Sequence, residues 1–193
     1  MKNKEEKNEI EEKEEGSSRW KSIVSNIIWI LVMLLAVFLI VEYVGQRTQV
    51  SGRSMEDTLH NGDNLIVDKI SYRFRDPERF DIIVFPPNEN EKTYYIKRII
   101  GLPGETVQIV DGKIYINGEV LEENYGKEVM KEAGRASTPI VLGGDEYFVL
   151  GDNRNNSTDS RYPSVGNVKR SSIVGRAWVR IWPLSDFGVL KHQ

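Results

Sequence analysis

The chain has 193 residues and a formal net charge of −3, with both signs interspersed. That excludes a general nucleic-acid binder, which needs a basic patch or stripe. There is no cysteine, so disulfides, a cysteine nucleophile and thiolate metal sites are removed together. The two histidines are His60 and His192. A zinc site built on them would lean on carboxylates, and neither a metal nor a cofactor is expected.

Residues 1–21 are a charged head in which Ile10 and Trp20 are the large apolar residues. Such a segment buries too little surface to offset ordering and reads as disordered or as a solvated helix. Ile23 to Val41 follows, unbroken by polar residues from Ile27 onward. Its roughly 19 residues match what a helix needs to cross about 30 Å of hydrocarbon. Trp20 and Tyr43 bracket it as interfacial anchors do. A cleaved signal peptide is the competing reading. The run is longer than an ordinary h-region, and EYVGQRTQ after it has no small-x-small cleavage site. Arg19 and Lys21 flank one end and Arg47 and Arg53 lie beyond the other, so charge orients the span weakly. The short head leaves the chain after residue 45 as the folded part. The expected organisation is a head at 1–21, an anchor at 22–44 and a β-rich domain at 45–193.

That domain reads as short antiparallel strands: 64–70, 81–85, 94–100, 105–110, 113–118, 146–150 and 173–182. Each is rich in β-branched and aromatic residues and bounded by turn residues. Asp111-Gly112 predicts a hairpin and Asn117-Gly118 a second turn. Residues 122–138 read as a loop or small excursion. The fold class is mainly β, an antiparallel β-sheet domain on a single N-terminal transmembrane helix.

Three segments carry chemistry. In SGRSMEDTLHNGD (51–63), a glycine turn leads into Ser54. One reading makes Ser54 an N-cap with Asp57 reaching back. The other uses the same turn to expose the hydroxyl and aim backbone N–H groups at a developing oxyanion. In TYYIKRIIGLPGE (93–105), strand alternation puts Tyr95, Lys97 and Ile99 on one face and Ile96, Arg98 and Ile100 on the other. Lys97 is either an edge-strand gatekeeper or a desolvated amine. A free lysine titrates near about 10.4, and apolar burial lowers that toward a usable base. In GDNRNNSTDSR (151–161), an EF-hand pattern fails at Arg154 and at the missing glycine. Asp152, Arg154, Asp159 and Arg161 are suited to a buried ion-pair network that shapes the loop, with Ser157 presenting a hydroxyl to a nearby amine. A Ser-His-Asp triad would need His60 or His192, whereas a Ser–Lys dyad needs no histidine.

These segments, with NGDNLIVDK (61–69), resemble the bacterial type I signal peptidases in content and order, over roughly residues 20–185. The compact length is similar to the Gram-positive forms, which lack a larger inserted domain. The resemblance implies a membrane-bound serine endopeptidase that removes signal peptides from exported preproteins after small residues, of the Ala-x-Ala type. It implies Ser54 as nucleophile, Lys97 as general base and the Ser54 N–H as oxyanion donor. Ser157 would orient Lys97, and Asp152, Arg154, Asp159 and Arg161, beside the Lys-Arg pair's Arg98, would support the site. Val50, Met55, Leu59, Tyr95 and Ile96 would line pockets for small side chains. The implied partners are signal peptides and membrane lipids, with no nucleic acid. The implied state is a monomer with a cytoplasmic N-terminus and its domain on the outer face. Two positions depart from the family pattern. Asp57 stands where proline is common, and Gly52 where some members carry an oxyanion serine. Self-cleaving repressors, which use a similar pair, and a non-catalytic binding protein remain as alternatives. Trp178, Trp182 and Phe187 are candidates for contact with the bilayer interface.

Overall fold

A computed structural model describes residues 2–39, 45–87, 93–126 and 128–190, with side chains from Trp20 to Phe38 in the first stretch and throughout the others. Two units emerge, Met1–Tyr43 and Val44–Gln193. The first is one helix, α1 (Lys2–Leu39). Within it Trp20–Phe38 spans 19 residues with mean hydropathy 2.1, long and apolar enough to cross a membrane. Residues 40–44, including the proposed anchor Tyr43, and His192 lie outside the described residues.

The second unit is built from antiparallel strands, as their alternating and β-branched residues require. In chain order these are β1 (Gly45–Gln49), β2 (Asn64–Asp68), β3 (Ile82–Phe85), β4 (Tyr95–Gly101), β5 (Thr106–Val110), β6 (Lys113–Ile116), β7 (Glu119–Val120), β8 (Ile140–Val141), β9 (Glu146–Leu150), β10 (Val168–Lys169), β11 (Gly175–Trp182) and β12 (Gly188–Val189). Among the described residues the larger sheet runs β1-β2-β11-β3-β4-β9-β10, with β12 added on β11. The smaller runs β7-β6-β5-β8. The mainly β reading therefore holds. So do the two turns: Val110 pairs with Lys113 and Ile116 with Glu119. Asp111, Gly112, Asn117 and Gly118 all take positive φ, which two-residue hairpin loops demand.

The sequence reading missed β1, whose residues GQRTQ offer no apolar alternation. It pairs with β2 from Gly45↔Asp68 to Gln49↔Asn64. The segment 55–59 forms a single turn, with Thr58 N–H and Leu59 N–H both donating to Met55 O.

Strand β4 is the centre of the unit. Its residues from Ile96 to Gly101 are all buried, because both faces are covered. Ile96 joins a core with Val50, Met55, Leu59 and Leu65. Ile100 joins the core of the smaller sheet with Val107, Ile114 and Phe148. Ile99 packs on the opposite face with Ile83, Tyr147 and Val149. A strand buried on both faces has no outlet for a charged side chain. Lys97 and Arg98 nevertheless sit in it, 4% and 0% exposed.

Candidate active site

The serine turn is positioned by the backbone around it. Gly52 has φ +101, a conformation that a side chain rarely adopts, and its N–H donates to Asn61 Oδ1 at 2.9 Å. Val50 N–H bonds Asp63 O, and Gly62 N–H bonds Val50 O. The 151–161 loop grips the same turn from the other side. Asn153 N–H donates to Ser54 O at 3.0 Å, and Asn153 Nδ2 to Arg53 O at 3.1 Å. Gly151 is obligatory here, since a Cβ would run into the Ser54 carbonyl and the Ser157 side chain. The N–H of Ser54 takes no hydrogen-bond partner among the described residues.

Lys97 reaches this turn from β4. Its amine lies 2.8 Å from Ser54 Oγ and donates also to Ile96 O at 3.0 Å. Tyr95 and Ile99 flank it on its own face, and Ile83 opposes it on β3. Burial among these groups is the largest influence on the amine and pushes its pKa down to about 8. Asp159 and Asp152 pull weakly the other way. The Tyr95 ring, 5.1 Å from Nζ, offers only a quadrupole in place of water.

The supporting charges are buried and paired, but the partners are not the ones the loop alone suggested. Arg161 does bond Asp159, from Nε at 2.8 Å and from Nη2 at 2.9 Å. Asp159 also receives the Gly151 N–H. Asp152, however, pairs with Arg98 at 2.9 and 2.7 Å and receives the Thr58 hydroxyl at 2.5 Å. Arg154 turns outward from the loop to Glu123 at 2.6 and 2.8 Å. The Arg98 guanidinium is capped by the Tyr125 ring, 3.5 Å away, and donates to the carbonyl of Phe80. Phe80 sits at φ 70, which for a bulky residue costs about 1–3 kcal/mol. Sequence reasoning missed Thr58, Glu123 and Tyr125. Each acts at long separation in the chain, and nothing local marks it.

Two expected placements differ. The Ser157 hydroxyl does not bond Lys97; it is buried beside Gly151 and takes no hydrogen-bond partner among the described residues. Leu59 is wholly buried in the core with Val50 and Ile96 and does not line the cavity at Ser54. It packs there with Leu65, Val67 and Leu190 as well. Val50, Met55, Tyr95 and Ile96 do line the cavity, together with Ser54 and Lys97. Its volume is about 470 Å³. Residues 48–52 and 93–97 form its long walls. Both walls offer strand edges: β1 pairs only with β2, and β4 pairs with β9 only from Arg98 onward, among the described residues.

Comparison with known proteins bears on the whole arrangement. Residues 23–182 match the family described as signal peptidase, peptidase S26. The chain is 45% identical over 153 residues to the probable signal peptidase I-2 of a Synechocystis strain, covering 77% of this chain and 68% of that one. It is 46% identical over 155 residues to the signal peptidase I of Leptolyngbya laminosa, with coverages of 77% and 74%. It is 39% identical over 171 residues to the signal peptidase I P of Bacillus subtilis subsp. natto, with coverages of 83% and 91%. A crystal structure of a signal peptidase I from Enterococcus faecalis V583 aligns at 39% identity, covering 53% of this chain and 97% of that one, with a TM-score of 0.45. The family match takes in the apolar span, the serine turn, β4 and the 151–161 loop, and on that breadth the chain belongs to the signal peptidases of the S26 family and is a hydrolase.

Proposed function

We propose that this protein is a membrane-anchored serine endopeptidase that removes signal peptides by a Ser54–Lys97 dyad. The observation that carries the reading is a lysine amine 4% exposed and 2.8 Å from a serine hydroxyl. Such an amine, pushed down to about 8, is a competent base near neutral pH, whereas a solvated one is not.

The neutral Lys97 amine accepts the Ser54 proton as Oγ attacks the scissile carbonyl. The oxyanion is met by the free Ser54 N–H. Lys97, now an ammonium, protonates the leaving amine, and the acyl group stays on Oγ. Water then attacks the acyl carbonyl as Lys97 takes its proton, and Lys97 returns that proton to Oγ as the acyl–Oγ bond breaks, releasing the acid product. Gly52 supplies no side-chain donor, and its N–H is engaged with Asn61. The second oxyanion contact therefore comes from water or from another backbone group. Arg98, Asp152, Arg154, Asp159 and Arg161 hold the turn and loop in register.

The peptide is bound as an added strand between the walls 48–52 and 93–97, a mode in which main-chain bonds give affinity. Val50, Met55, Tyr95 and Ile96 shape shallow apolar pockets that admit alanine and reject bulk, which accounts for Ala-x-Ala selectivity. Residues 1–21 form a cytoplasmic head, 22–44 the anchor and 45–193 the domain on the outer face of a bacterial membrane. The enzyme works as a monomer. The exposed Trp182, Leu184 and Phe187, with the half-exposed Trp178, suit contact with lipid headgroups.

The test is cleavage of a preprotein by the full chain in detergent. Ser54→Ala and Lys97→Ala should each lose at least about a thousandfold in turnover while unfolding as cooperatively as the parent. Parent-like turnover in either variant removes the dyad.

A further inference from the structure

Among the described residues, the cavity wall carries two cationic side chains, Lys97 and Arg53, and no acidic one. The two are held differently. Lys97 is buried, and its charge comes and goes with catalysis. The Arg53 side chain is 68% exposed and is a permanent cation. Its orientation is nonetheless constrained. Nε donates to Glu56 Oε1 at 2.9 Å, and the Glu56 side chain is itself only 11% exposed. The Arg53 carbonyl is held by Asn153 Nδ2 at 3.1 Å and by Glu56 N–H at 3.3 Å. The inner nitrogen is thus tied down, while Nη1 and Nη2 take no hydrogen-bond partner among the described residues. A guanidinium in that state presents a two-pronged donor that suits a carboxylate.

What would lie within its reach follows from the reading above, on which this inference rests. The acyl side of the peptide occupies the groove between 48–52 and 93–97. Arg53 lines the same cavity one residue before Ser54, so on this reading it flanks the chain where it leaves the site past the scissile bond. Successive residues of an extended peptide are about 3.3 Å apart, so an arginine side chain there spans the first two positions past the cut. We propose that Arg53 is a specificity-determining residue that reads an acidic side chain in the first two residues after the scissile bond, favouring substrates whose mature N-terminus carries Asp or Glu.

The experiment uses the full chain in an uncharged detergent and internally quenched peptides with one Ala-x-Ala leader. Glu, Gln or Lys is placed at each of the first two positions after the bond, or at the position between the two alanines. The Gln peptide, cleaved by the parent and by neither Ser54→Ala nor Lys97→Ala, establishes the dyad separately. The ratio of kcat/KM for Glu over Lys peptides then addresses Arg53 alone. It should be about fivefold in the parent, the size expected for exposed ion pairs. It should fall toward one in Arg53→Gln and below one in Arg53→Glu. About 0.5 M salt should shrink it, because an exposed pair is screened. A parent ratio within about twofold of one overturns the proposal. So does a ratio that Arg53→Glu leaves unchanged, or a preference confined to the position between the alanines.

Discussion

The two sheets are stabilised in different ways. The smaller one encloses an entirely apolar core, in which Val107, Ile109, Ile114 and Ile116 meet Phe148 and Leu150. The larger one buries Lys97, Arg98, Asp152, Asp159 and Arg161, clustered where β4 meets the 151–161 loop. Hydrophobic burial, shared with Ile100, Phe148 and Leu150 of the larger sheet, accounts for the first. In the second, charges are taken out of water at a cost that their mutual pairing offsets. The lesson is that the site is a deliberately expensive region of an otherwise ordinary β domain, and that its paired and unpaired charges should respond to mutation in opposite directions.

Breaking a pair gives the largest expected effect on stability. Asp152→Ala leaves the fully buried Arg98 without its carboxylate and Thr58 without its acceptor. It should cost about 3–5 kcal/mol in urea unfolding of the detergent-solubilised chain. It also removes one of the charges that hold the Lys97 pKa up, so any remaining activity should appear at lower pH.

Next comes a cavity in the apolar sheet. Ile114→Ala, at a site 3% exposed, should cost about 2–4 kcal/mol by the same measurement. The folded fraction should keep parent-like kcat/KM, since Ile114 is not among the residues that line the cavity at Ser54. If Asp152→Ala proved milder than Ile114→Ala, the contrast between the sheets would fail.

Smaller, and opposite in sign, is the unpaired cation. The folded-state pKa of Lys97, about 8, lies below its ordinary 10.5. Below about pH 8 the amine is charged in both folded and unfolded states, and the folded state bears the full cost of burying it. As pH rises from about 8 to 10.5 the folded state sheds its proton first, and stability grows. Lys97→Met should therefore stabilise the protein at pH 7 by about 1–3 kcal/mol, with the gain fading above pH 8, while abolishing cleavage. Melting temperatures across that range check this. The parent's kcat/KM should climb through the same pH window as the free base forms. An acid-side limb centred well above pH 8, toward the ordinary 10.5, would show the amine to be wetter than its burial implies.

Much of the fold was legible because strand periodicity and turn chemistry are local. Asp111-Gly112 and Asn117-Gly118 turn as their left-handed preference dictates, and the edges of β9 were read correctly. Strand β1 was not legible, because an edge strand of polar residues draws its order from the neighbour it pairs with. The candidate site was legible as a set of residues but not as a set of contacts. Ser54 and Lys97 were marked by their flanks. That Asp152 would choose Arg98 over Arg154, that Arg154 would choose Glu123, and that Tyr125 would cap Arg98 were set by approaches between segments far apart in sequence. Leu59 shows the same limit in reverse: the family resemblance implied a pocket position, and packing put it in the core.

By itself the amino-acid order determined an apolar span of 19 residues, a set of antiparallel strands, and which alcohol and which amine were candidates for chemistry. All three follow from properties of short stretches, namely hydropathy, alternation and residue type. Only the tertiary structure decided that the amine is dry and 2.8 Å from the alcohol. Desolvation and reach are set by what packs from both faces of β4 and by the loop that closes over the serine turn, and no stretch of sequence holds that information alone.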